Sequence, residues 1–151
     1  MKKFRFSMET VLHYREQLLD TLRIEHAAAI ARVREQEAVV AALQQRFDEV
    51  NQEYREKKQQ GMTIADAVGY DLMLQVQEKE IQKAQETLAL RKREEESKRN
   101  EVIRAKTDKA TIEKLKEKKW QLYQKSVQKS EEQFIDEFVS NARVMAGAAV
   151  H

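Results

Sequence analysis

The chain has 151 residues, 36% of them charged, with 28 Lys and Arg against 26 Asp and Glu, 3 Gly, no Pro and no Cys. The missing Cys excludes disulfides and thiol chemistry, the near-balance of charge does not describe an overall nucleic-acid binder, and no apolar run approaches the roughly 20 residues that span a bilayer. Ala, Glu, Lys, Leu, Arg and Gln at heptad spacing, with a mean hydropathy of −0.78, point to a coiled coil rather than a compact globule.

The first residues, Lys2-Lys3-Phe4-Arg5-Phe6, are basic but lead into no apolar stretch of the kind a signal peptide needs, so a cytoplasmic protein is expected. Phe4 and Phe6 read as a hydrophobic cap over an open helix end, or as an anchor for a partner. Ser7 is the expected N-cap of a first helix over about 7–60. Its a positions are Leu12, Leu19, His26, Val33, Val40, Phe47 and Tyr54. Its d positions are Met8, Arg15, Leu22, Ala29, Gln36, Leu43 and Val50.

Lys57, Lys58 and Gly61 have the composition of a helix C-terminus, and Thr63 with Asp66 resembles a capping box. A tight turn is therefore predicted at about 60–63. A second, longer helix follows over about 64–146, with a at Leu74, Ile81, Leu88, Glu95, Val102 and Lys109. Its d positions are Gln77, Ala84, Arg91, Lys98, Ala105 and Ile112. Folding about position 62 brings together residues whose numbers add to about 124. The layers Leu12 with Ile112, Leu19 with Ala105, Leu22 with Val102, Val40 with Ala84, Leu43 with Ile81, and Val50 with Leu74 are then all apolar. Two heptad tracts in register across one turn predict an all-α fold. It is one domain over 1–151: two long helices in an antiparallel coiled-coil hairpin, the second longer than the first.

The seam weakens where His26 meets Lys98, Ala29 meets Glu95, and Val33 meets Arg91. Residues 91–101 carry no apolar group, so the middle is expected to be the softest part. Near the turn, a two-stranded seam cannot bury Tyr70, Leu72, Met73 and Val76 together, so part of this group should be exposed as a contact site. Residues 91–119 hold 12 basic and 7 acidic side chains, and the interleaved acids weaken any phosphate-binding face. Beyond 117 the second helix runs out of partner. Yet Trp120, Tyr123, Val127, Phe134 and Phe138 continue as a stripe, which should meet a partner, a second copy or the Phe4/Phe6 arm. Ala146-Gly147-Ala148-Ala149 reads as a frayed end.

Catalytic chemistry finds no foothold. His13, His26 and His151 give no zinc-ligand spacing, no glycine-rich loop could cradle phosphate, and no nucleophile sits with a base in a placeable pocket. His26 reads as a seam-edge histidine. No enzyme, cofactor, metal or small-molecule ligand is expected.

Phe4-Arg5-Phe6-Ser7-Met8-Glu9-Thr10-Val11-Leu12 resembles the F-x-F-x-L-x-x-V-L opening of the bacterial flagellar export protein FliJ family, with Met8 in place of the usual Leu. Glu53-Tyr54-Arg55, Tyr70, Ile81, the stretch Glu117 to Tyr123 and the stretch Glu131 to Phe138 are also similar to it. The resemblance implies a stalk and escort component of the flagellar type III export apparatus, peripheral to the inner membrane. Its implied partners are a hexameric export ATPase, the cytoplasmic part of the export gate, and export chaperones. The ATPase-binding residues it implies are Phe4, Phe6, Trp120, Tyr123, Phe134 and Phe138. Those for the gate are Phe47, Val50, Tyr54 and Met73, with Gln77 standing where an apolar residue is expected. Alternatives are the equivalent stalk of a virulence type III system, a structural dimerising coiled coil, and a nucleic-acid-binding coiled coil.

Overall fold

The computed structural model describes residues 2–150, with side chains through 148; Met1 and His151 lie outside the described residues. Two helices make up the fold, α1 (Glu9–Gln60) and α2 (Ile64–Val150). They pack antiparallel, and the second is the longer. With no proline in the chain, a glycine in the left-handed conformation is the usual way for the first helix to end. Gly61 does so at φ 100, the one positive φ among the described residues, with its N–H donating to the Lys58 carbonyl at 3.4 Å. Lys57 and Lys58 lie in the last turn, against the negative end of the helix dipole. Thr63 caps α2: its Oγ1 accepts the Asp66 N–H at 3.2 Å, and Asp66 sits in the first turn.

Both outer ends differ from expectation. The first helix starts at Glu9 rather than Ser7, because Ser7 and Met8 form a turn closed by the Glu9 N–H on the Phe6 carbonyl at 3.2 Å. Burial of Phe6 holds the chain in that turn. The second helix continues past 146 to Val150. Gly147 is helical there, and its alanine neighbours are strong helix formers.

The chain divides into two compact units, one made of residues to Leu18 with those from Ala105 onward, the other of Leu19–Arg104. Within Leu19–Arg104, cross-helix pairs fix the register: Lys98 on Glu25 at 2.9 Å, His26 Nε2 on Glu95 at 2.9 Å, and Tyr54 against Tyr70 at 5.1 Å between ring centres. Gln36 Nε2 donates to the Ala84 carbonyl at 2.9 Å. The numbers of Tyr54 and Tyr70 add to the predicted 124, and the ionic pairs fall within three of it. Every predicted a and d residue of both helices is buried or half-buried. Where the apolar seam fails, Ala29 is almost wholly buried, and a charged lattice surrounds it. Glu95 takes His26 from α1 and Arg99 from its own helix; Lys98 bridges Glu25 and Glu101; Arg91 pairs with Glu94. Arg99 first, and His26 second, hold the Glu95 carboxyl below its ordinary value of 4.5, while Glu25 and Glu101 raise Lys98.

In the other unit, Phe6 and Leu12 are buried. Arg15 reaches Asp108 at 3.4 Å and Lys116 reaches Glu9 at 2.9 Å. The basic run is thus drawn partly into ion pairs, Lys109 with Glu113 among them at 3.5 Å.

Candidate functional site

The features of this fold to consider are surfaces, one in each compact unit. In the unit that holds both chain ends, the short non-helical arm of residues 2–8 folds onto α2. Phe4 packs edge-on to Trp120 at 5.1 Å and tilted to Tyr123 at 5.4 Å, and Trp120 stacks on Tyr123 at 5.6 Å. The Tyr123 hydroxyl donates to the Lys2 carbonyl at 2.8 Å. Aromatic pairs at these separations are attractive beyond their buried area.

Beyond that cluster Val127 is half-buried, and every residue from 128 through 148 is exposed. At 100° per residue, Trp120, Tyr123, Val127, Phe134, Phe138 and Met145 fall within an arc of about 60° on α2. Phe134 is 70% exposed and Phe138 67% exposed, and Ile135 and Met145 are also open to solvent. The six residues first grouped by resemblance therefore divide. Phe4, Trp120 and Tyr123 engage one another, Phe6 is buried, and Phe134 and Phe138 stand free. Of the three possible companions for the stripe, the arm meets only its first turn.

The second surface lies near the turn, in Leu19–Arg104. Phe47 and Val50 are half-buried in the seam. Tyr54 is buried against Tyr70, with the Lys58 ammonium 4.2 Å from its ring centre. Of the four residues implied for a gate contact, Met73 alone is exposed. It belongs to an apolar group on α2 with Val68, Leu72 and Val76, also exposed. Val68, Leu72 and Val76 follow at four-residue steps, so they share the outer face of the helix. Of the four apolar residues that a two-stranded seam cannot bury together, Leu72, Met73 and Val76 are exposed and Tyr70 is half-buried. Beside it, Glu53, Lys57, Asp66, Gly69, Tyr70 and Met73 line an open cleft. Lys57 and Tyr70 hold the Glu53 carboxyl below its ordinary value, and Tyr70 and Glu53 raise Lys57. Gln77 is buried at its d position, and its Oε1 finds no hydrogen-bond partner among the described residues.

Among the described residues no three His, Cys, Asp or Glu side chains are grouped to hold an ion. His26 is the seam-edge residue expected, bonded to Glu95. His13 lies between Glu9 and Glu16, at 3.8 and 3.5 Å. Among the described residues, no helix is long and apolar enough to cross a membrane.

Compared with known families, residues 4–145 match the profile described as Flagellar FliJ protein. Comparisons with curated proteins and with solved structures return no match.

Proposed function

The chain belongs to the flagellar FliJ protein family and is thereby a component of the flagellar export apparatus; from this premise we propose that it is the stalk and escort of the export machinery, holding the ATPase by one surface and the export gate by the other. The observation that carries the reading is the bare aromatic stripe of α2, with Phe134 and Phe138 exposed on a helix face that has no companion from α1. Large apolar side chains at i and i+4 on a long helix are the anchors by which helices seat in grooves. A hexameric ATPase ring supplies such a groove in this reading.

The exposed group Val68, Leu72, Met73 and Val76 is the corresponding candidate for the gate. It is small and patchy, as suits a second and weaker partner. Phe47, Val50 and Tyr54 lie in the seam of the same compact unit. Export chaperones are the third class of partner. The protein works in the cytoplasm, peripheral to the inner membrane at the flagellar base, and carries out no catalysis of its own.

A two-ended binding experiment tests the assignment. Phe134→Ala with Phe138→Ala should weaken binding to the export ATPase by at least about tenfold, the effect of losing two hot-spot aromatics. It should leave the gate contact unchanged. Leu72→Ala with Met73→Ala should do the reverse, with helicity by circular dichroism unchanged in both. Loss of ATPase binding in the second variant alone would invert the assignment. If neither variant affects either partner, the stalk reading fails and a structural dimerising coiled coil replaces it.

A further inference from the structure

The arm and the stripe share one helix face. Trp120 and Tyr123 head the same arc that carries Val127, Phe134 and Phe138, so Phe4 covers the start of a surface that is open at Phe134 and Phe138. Three features make this cover unlike a core contact. The arm is not helical and, among the described residues, is joined to α2 by a side-chain hydrogen bond from Tyr123 to the Lys2 carbonyl, at an exposed site. Phe4 itself is half-buried, and Trp120 beneath it remains 38% exposed. Open crevices flank Phe4, one lined by Arg5, Glu9 and Lys116, the other by Leu12, Glu16, Glu113 and Trp120. Phe6, by contrast, is only 8% exposed. The arm thus has a fixed root at Phe6 and a loosely held tip at Phe4.

We infer that residues 2–5 form a releasable strap that competes with the partner for the head of the stripe. Rooted at Phe6, the strap holds Phe4 on Trp120 and Tyr123 in the free protein. It lifts when the partner takes the whole face from Trp120 to Phe138. A competing intramolecular contact reduces apparent affinity by the fraction of molecules in which the face is open. Weakening the strap therefore tightens binding, although it removes an apolar side chain from the very end that binds. Phe4 is in this account a regulator of access, and Trp120 and Tyr123 are binding residues that it shields. The inference rests on the assignment of the stripe to the export ATPase.

Trp120 is the only tryptophan, so its emission reports the strap directly. In the full-length protein, Phe4→Ala should shift that emission to longer wavelength and increase its quenching by acrylamide. It should tighten binding to the purified export ATPase by about three- to tenfold, the scale of the aromatic pairs released. Tyr123→Phe keeps the ring and removes only the bond to the Lys2 carbonyl. It should act in the same direction with a smaller change, and keeps the test valid if Phe4→Ala loses helicity. Phe134→Ala with Phe138→Ala is measured alongside. If that double variant binds less tightly while Phe4→Ala and Tyr123→Phe bind equally or less tightly than the unmodified protein, the strap is refuted and the site stands. If the double variant binds as the unmodified protein does, the site assignment fails and the strap with it.

Discussion

Replacing Gln77 by Leu should stabilise this protein, against the general tendency of point substitutions to destabilise. Gln77 occupies a d position between Leu74 and Ile81, and the antiparallel register sets it opposite Phe47. It is buried, yet its Oε1 has no hydrogen-bond partner among the described residues. Leaving a buried acceptor unsatisfied costs about 1–3 kcal/mol, and an apolar side chain of similar size removes that cost. Because Gln77 keeps a sliver of exposure, the lower part of that range applies, about 1–2 kcal/mol. For a chain of this length that corresponds to a rise of roughly 2–8 °C in melting temperature. Urea unfolding followed by circular dichroism at 25 °C measures it. Gln36→Leu is the matched control. Gln36 also lies in the seam, but its Nε2 donates to the Ala84 carbonyl at 2.9 Å, so its replacement discards a bond already made. Gln36→Leu should therefore gain less than Gln77→Leu. Equal gains, or a loss at Gln77, would refute the claim that an unsatisfied amide weakens this layer.

Three further outcomes follow from the same geometry. Cysteines placed at Leu22 and Val102 should form a disulfide readily and those at Leu22 and Ile81 should not: the first pair is in register, while the second is offset by roughly 30 Å against a Cα limit of about 7 Å. Comparable yields of monomeric disulfide would contradict the register. Gly61→Ala should cost about 1 kcal/mol or more, since φ is 100 there, whereas Gly69→Ala, helical and with open space around an added Cβ, should gain about 0.5–1 kcal/mol; thermal melts of the two variants should move in opposite directions. The Glu95 carboxyl is held below its ordinary 4.5, chiefly by Arg99 and then by His26, so its contribution is present above that pH and is lost as pH falls through the lower folded value. Between about pH 6 and about pH 3, Glu95→Gln should lose less stability than the unmodified protein; an equal loss in both would remove Glu95 from the acid response.

The seam was legible in the sequence because its cause is periodic. A 3.5-residue repeat on each side of one glycine determines which side chains face inward, and Leu12, Ala29, Ile81 and Val102 are buried where that repeat places them. The turn was legible for a related reason. Gly61, Thr63 and Asp66 satisfy backbone groups within a few residues, and local chemistry leaves few alternatives. The two surfaces were only half legible. Both follow from having more apolar residues than a two-stranded seam can bury, which sequence alone shows. Which of them stay bare depends on tertiary structure. Phe4 and Phe134 are alike as residues, but the arm that carries Phe4 has no helical period from which its path could be read, and it lands on Trp120 and Tyr123. The ionic layer was undetermined for the same kind of reason. Residues 91–101 look like an unsupported polar stretch until rotatable side chains choose among several nearby partners. Only the meeting of the two helices brings His26 to Glu95 and Lys98 to Glu25.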